Sequence, residues 1–108
     1  MAREALPQRR ACETFEFSDG RLTYTANIGF YPDGRPGEVF LYAGKAGTAI
    51  HTFVRDSAIA ISFALQSGIT VEQIRSAFTR NVEGEPEGPL GILMDMLAAR
   101  SGSQGETA

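Results

Sequence analysis

The 108-residue sequence contains one cysteine, one histidine and no tryptophan. The single cysteine, Cys12, cannot form an internal disulfide, and it cannot supply a zinc site by itself. No apolar run approaches the ~20 residues that a membrane-spanning helix needs. The N-terminus also lacks the continuous apolar core of a signal peptide. These features predict a cytoplasmic protein with no membrane contact.

An excess of positive charge is lacking as well, since 10 Lys and Arg residues face 13 Asp and Glu residues for a net charge of −3. A negative chain is a poor ligand for the phosphate backbone, so no nucleic-acid partner is expected. The charge is distributed unevenly, with arginines near the start and acidic residues after residue 80. The composition predicts a flexible basic arm (1–12), one domain (13–100) and a disordered polar tail (101–108).

The first half of the domain alternates between apolar and polar residues, which is typical of half-buried strands. The alternating stretches are 13–18, 21–31 and 38–43. Turn-forming residues separate them, at Asp19-Gly20 and in "PDGRPG" (32–37). The third stretch is apolar on both faces, because Phe40 and Tyr42 lie opposite Val39 and Leu41. This second apolar face predicts contact with another chain, most simply in a homodimer.

The second half changes to helical spacing. Helices are predicted over 48–68, over 69–78 and from Pro89 onward, with Thr48 as the first N-cap and Gly68 as its stop signal. The first helix has apolar residues outside its main stripe, so it is expected to be buried on more than one side. Strands followed by helices predict an α+β fold: a three-stranded antiparallel β-meander followed by three α-helices packed on one face.

The glycine-rich stretch "YPDGRPGEVFLYAGKAG" (31–47) superficially suggests a phosphate-binding loop. A Walker A motif would need glycine at position 39 and Ser or Thr at position 46, but these are Val39 and Ala46. The glycines are therefore interpreted as structural turn residues, with positive φ expected at Gly34 and Gly37. The structural turn residues are Gly34, Gly37, Gly44 and Gly47. The polar residues predicted to contact a partner or ligand are Asp33, Arg35, Glu38 and Lys45.

No catalytic residue and no metal ligand can be assigned from the sequence. His51 is the lone histidine, in the first turn of a helix, and a general base also needs an orienting partner. The residues do not assemble a nucleophile, a base and oxyanion donors. His51 is interpreted as structural, and the chain alone is expected to bind no cofactor.

Four stretches taken in order resemble the TSCPD domain family: "LPQRR" (6–10), 31–47, "AIAISFALQSGITVEQIRSAFT" (58–79) and "LGILMDML" (90–97). This domain lies toward the C-terminus of many adenosylcobalamin-dependent ribonucleotide reductases and also occurs as a short separate protein. The Ser-Cys-Pro-Asp stretch that gives the domain its name is absent here. A role that depends on family cysteines therefore does not carry over.

The resemblance implies a non-catalytic accessory or regulatory domain of deoxyribonucleotide synthesis, with a ribonucleotide reductase catalytic subunit as its partner. Radical reduction of a ribose needs a cofactor site and several cysteines, and this chain has one. The alternative is a stand-alone protein that binds a small ligand or nucleotide at the Gly-rich turn 33–47. An enzyme of unrecognised type is the third possibility.

Overall fold

The computed structural model describes residues 2–44 and 47–107, with side chains described as far as Arg100. The elements in chain order are β1 (Cys12–Ser18), β2 (Thr23–Phe30), β3 (Pro36–Ala43), α1 (Ala49–Gln66), α2 (Val71–Ala77) and α3 (Pro89–Thr107). The strands form one antiparallel sheet in the order β1-β2-β3. The predicted α+β fold is confirmed. The structure does not describe the side chains of residues 101–108, so the disorder predicted for this tail stays a prediction.

One face of the sheet forms the core. Alternate residues of β2 and β3 are buried on this face and pair across the two strands, as Tyr24 with Ala43, Ala26 with Leu41, and Ile28 with Val39. Period-2 alternation places them together, because successive side chains of a strand point to opposite faces. Phe15 and Phe17 of β1 extend the same face and are partly buried against it. The helices supply the other side of this core.

Helix α1 begins and ends where the sequence predicts. The Thr48 side chain accepts a hydrogen bond from the His51 N–H (3.3 Å), and Gly68 follows the helix with φ of +98°. The expectation that α1 is buried on more than one side is wrong. Phe53 is 70% exposed and Phe63 is 49% exposed, because the helix buries one stripe against the sheet and the other helices leave its remaining surface open.

Helix α2 has the capping box expected from its sequence, in which Thr70 and Gln73 each accept from the other's backbone N–H. Helix α3 begins at Pro89, as predicted. Asp95 of α3 accepts hydrogen bonds from Arg75 and Arg80 and so links α3 to α2 and the loop after it. None of the helices in the described part of the chain is long and apolar enough to cross a membrane.

Side chains of α1 cover part of the open edge of β3. The buried Ser62 hydroxyl accepts from the Val39 N–H (2.8 Å) and donates to a carbonyl oxygen, with Val39 O at 3.0 Å and Ala58 O at 2.9 Å. One turn later, the Gln66 amide donates to Gly37 O (2.9 Å). Buried backbone groups need such partners, so these two residues fix α1 along the strand.

The segment before β1 lies against the domain through several contacts. The Glu4 N–H donates to Gln66 O (2.7 Å), and Glu4 O accepts from the Tyr31 hydroxyl (2.6 Å). The Arg3 guanidinium stacks 4.4 Å above the ring of Phe63. The sequence did not indicate these contacts. The mobility predicted for the arm of residues 1–12 stays a prediction.

Candidate functional site

The glycines of the stretch 31–47 have different roles in the structure. Gly34, Gly44 and Gly47 have φ of +92°, +56° and +89°, a region that strongly favours glycine. Gly37 does not have a positive φ and lies inside β3, so its expected turn conformation is wrong. What requires glycine there is space: a Cβ at Gly37 would lie 2.4 Å from Cε2 of Tyr31. The turn is made by residues 31–35, before the Pro-Gly pair.

The stretch 31–47, which carries the residues predicted to contact a partner or ligand, includes the whole of β3. Asp33 and Arg35 precede β3, whereas Gly44 follows it. Since β3 has eight residues, these two points are separated by roughly 25 Å of extended chain. Lys45 lies outside the described residues.

Asp33 and Arg35 form a cluster with the N-terminal segment. Arg35 donates to Asp33 (2.7 Å) and to Glu4 (3.1 Å), and its guanidinium lies 4.6 Å above the ring of Tyr31. The Arg35 N–H and then the Arg35 side chain donate to Asp33, and this lowers the pKa of the Asp33 carboxyl. Burial, followed by the charge of Glu4, raises the pKa of Tyr31. Both Asp33 and Arg35 stay about half exposed while making these contacts.

Glu38 is already used within the chain. Arg10 binds it in a two-point pair, with Nε donating to Oε2 (2.9 Å) and Nη2 donating to Oε1 (3.0 Å). A third donor of Arg10 bonds to Pro7 O (2.7 Å). The pair lies across Gly29, where an added Cβ would be 2.4 Å from Oε2 of Glu38. Gly29 therefore provides the space in which the N-terminal segment is attached to the sheet.

A pocket of about 380 Å³ lies beside the 31–35 turn. It is bounded by Asp33, Gly34 and Arg35 on one side and by the connection between α1 and α2 on the other. The volume is within the usual range for small-molecule sites, which starts at roughly 300 Å³. Three residues that the sequence analysis singled out are thus next to a space of ligand size.

The second face of β3 is the main exposed apolar surface of the sheet. Phe40 and Tyr42 are 38% and 42% exposed, and they pair with Asn27 and Thr25 of β2. We call these four residues the outer face. The helices of the described chain pack on the opposite side of the sheet. The ring of His51 lies 6.2 Å from the ring of Tyr42, at the border of this face.

A second pocket, of about 410 Å³, brings together arginines that the sequence analysis did not connect. Arg9 and Arg10 come from the segment before β1, and Arg100 comes from α3. Phe30 and Tyr31 at the end of β2 form part of the wall. We call this space the arginine pocket. The sequence held no signal for it, because the contributing residues come from opposite ends of the chain.

The comparisons with known proteins identify the family. The model of the TSCPD domain matches residues 2–100, so the chain belongs to the TSCPD domain family. The chain is 38% identical over 88 residues to a vitamin B12-dependent ribonucleotide reductase of Bradyrhizobium diazoefficiens, with 82% of this chain and 7% of that protein covered. A protein with the same description from Rhodopirellula baltica is 37% identical over 86 residues, with 80% and 8% covered.

The reductase of Agrobacterium fabrum is 39% identical over 77 residues, with 71% of this chain and 6% of that protein covered. The chain therefore spans less than a tenth of the length of these three curated relatives. No solved structure matches the chain significantly. The family match over residues 2–100 includes the three strands, α1, α2 and the first part of α3.

Proposed function

From its membership of the TSCPD domain family, we propose that the chain is a non-catalytic accessory domain that acts on a vitamin B12-dependent ribonucleotide reductase. The observation that carries this proposal is the asymmetry of the match, which covers 82% of this chain but 7% of the reductase. Ribose reduction needs a radical-generating cofactor and several positioned thiols. This chain has one cysteine, Cys12, which is exposed at the start of β1. On this proposal the chain alone binds no cobalamin.

The outer face is the surface that we propose contacts the reductase. Aromatic residues are enriched in protein interfaces, and neighbouring exposed aromatic side chains are uncommon on a surface without a binding role. Phe40 and Tyr42 are such a pair, on a strand at the edge of the sheet. Asp33 and Arg35 are exposed enough to add polar contacts at the far end of β3. Glu38 is less available, since 14% of its side chain is exposed and Arg10 holds it.

The test is to titrate the purified chain into a vitamin B12-dependent ribonucleotide reductase and to measure affinity and turnover. We expect binding, with a change in turnover or in nucleotide affinity. Phe40→Ser combined with Tyr42→Ser should weaken binding at least tenfold, since buried aromatic residues dominate interface energies at about 2 kcal/mol or more each. Val82→Ser is the matched control, because Val82 is a fully exposed apolar residue in a loop away from the sheet.

Two results would contradict the proposal. One is reductase activity or cobalamin binding by the isolated chain, the latter followed by the visible absorption of the cofactor. The other is the absence of any effect when the chain is added in large excess over such a reductase. Equal loss of binding in Val82→Ser and in the double variant would reject the outer face as the contact.

A second candidate function is binding of a small ligand at the 31–35 turn. The pocket of about 380 Å³ beside Asp33, Gly34 and Arg35 favours it. A thermal-shift screen with nucleotides and small metabolites tests this alternative. A stabilising compound should lose its effect in Arg35→Ala and keep it in Arg55→Ala, whose arginine is exposed on α1. No stabilisation by any compound would reject this candidate.

A further inference from the structure

The arginine pocket concentrates positive charge in a protein whose net charge is negative. Three of its lining residues are arginines, Arg9, Arg10 and Arg100, and its other lining residues include no carboxylate. Glu38 and Glu13 pair with Arg10 and Arg100 from outside the pocket. Arg9 has no hydrogen bond or ion pair among the described residues. The pocket wall therefore holds three cations, two of which pair with a carboxylate outside it, and among the described residues the third guanidinium has no carboxylate partner.

Two of these arginines, Arg9 and Arg100, leave most of their hydrogen-bonding capacity unused within the described part of the chain. A guanidinium has five N–H donors, and Arg100 uses one of them, from Nη1 to Glu13. Nε of Arg100 is buried and has no hydrogen-bond partner between residue 2 and Arg100, as far as the structure describes them. A buried donor in this condition is costly and calls for an acceptor that the described residues do not provide. Stacking over the Phe30 ring, 4.7 Å from the centroid, holds the Arg100 guanidinium in place.

We propose that the arginine pocket binds an anion that carries a phosphate group. Guanidinium groups bind phosphate and carboxylate, but a planar carboxylate is matched by one arginine, whereas the oxygens of a phosphate point in several directions. Three arginines from two separate segments can approach one phosphate from several directions. At about 410 Å³ the pocket exceeds the space of the free ion and accommodates a small phosphate ester. This inference does not depend on the proposed function.

Isothermal titration of the whole chain with inorganic phosphate and with ribose 5-phosphate tests the proposal at low ionic strength. Ribose is the uncharged control, and the two phosphates distinguish the free ion from an ester. Arg9→Gln and Arg100→Gln should each weaken binding by about tenfold, the loss expected for one charge-assisted contact. Arg55→Gln removes the same charge from an exposed site on α1 and should change the affinity by less than about twofold. Arg10 is left intact because its loss would also release Glu38.

The proposal is supported if either phosphate binds, ribose does not, and the two pocket variants lose affinity while Arg55→Gln keeps it. It is overturned if neither phosphate produces heat at about 10 mM, which corresponds to less than roughly 3 kcal/mol of binding free energy. It is also overturned if Arg55→Gln loses as much affinity as Arg9→Gln. If circular dichroism shows that Arg100→Gln is misfolded, Arg9→Gln decides the question, because Arg9 is exposed and makes no contact that supports the fold.

Discussion

Gly37→Ala is the substitution for which the structure and simple strand propensity predict opposite signs. Glycine is less favourable than alanine in a strand by about 0.5–1 kcal/mol, so propensity alone predicts that the variant is more stable. The structure predicts a loss of stability. The new Cβ would lie 2.4 Å from Cε2 of Tyr31 and 3.0 Å from Cδ2 of Leu6. Carbon atoms in normal contact are about 3.5–4.0 Å apart, so the closer pair is short by more than about 1 Å.

The magnitude depends on whether Tyr31 can move away. Its side chain is 4% exposed, its hydroxyl donates to Glu4 O at 2.6 Å, and Arg35 lies over its ring. A shift of the ring would therefore disturb the attachment of the N-terminal segment. Overpacking of this kind costs about 1–3 kcal/mol. After the propensity gain is subtracted, we expect Gly37→Ala to lower the free energy of unfolding by about 1–2 kcal/mol.

Urea denaturation followed by circular dichroism measures this change, and a double-mutant cycle isolates its cause. In a Tyr31→Ala background the ring is gone, so Gly37→Ala should be neutral or slightly stabilising. Gly20→Ala is the control, because Gly20 has φ of +92° with nothing within 4 Å of an added Cβ. Gly20→Ala should lose stability through backbone strain alone, and this loss of stability should be the same with and without the Tyr31 ring. The steric explanation would be refuted if Gly37→Ala did not lower the free energy of unfolding, or if it lowered it equally in the presence and absence of the Tyr31 ring.

Three further results are expected. Ser62→Ala should lower the free energy of unfolding in urea by about 1–3 kcal/mol, because the Val39 N–H loses a buried partner, and an unchanged midpoint would show that water replaces the hydroxyl. Hydrogen bonds from Arg80 and Arg75 lower the pKa of Asp95. The stabilisation that Asp95 contributes should therefore be present above the ordinary carboxyl pKa and be lost as the pH falls through the lowered value. In thermal melts at decreasing pH, Asp95→Asn should reduce this loss of stability, and an unchanged pH dependence would contradict the prediction. In the free chain, where no reductase covers the outer face, light scattering should show a dimer that Phe40→Ser with Tyr42→Ser converts to monomer, whereas a monomeric wild type at high micromolar concentration would exclude self-association through the outer face.

Local features of the sequence predicted local structure well. Thr48 and Thr70 cap helices because a short polar side chain can reach the free N–H groups of the first turn without help from the rest of the chain. Alternation in β3 gave the two faces of that strand, since the period of a strand is fixed by its backbone. These signals act over a few residues, so no knowledge of the fold was needed to interpret them.

Burial of α1 could not be predicted in the same way. Phe53 has the helical spacing of a core residue, but the spacing only shows which residues share a side of the helix. How many sides are covered depends on where α2 and α3 pack, and their positions are set by long-range contacts such as the pairing of Asp95 with Arg75. Gly37 shows the same limit. The residue that requires its small size, Tyr31, precedes the turn, so the contact depends on the tertiary arrangement rather than on a motif.

Arg10 connects the features that the sequence left separate. Its guanidinium lines the arginine pocket and also holds Glu38 over Gly29. Phe40 lies two residues beyond Glu38 on the same face of β3, because alternate residues of a strand share a face. If the proposed anion binds in the pocket, we expect it to compete with Glu38 for donors of Arg10 and so to affect the border of the outer face. Because coupling between two sites is reciprocal, a partner that covers Phe40 and fixes Glu38 should then change the anion affinity by the same factor, and titrations of each with the other bound would test this.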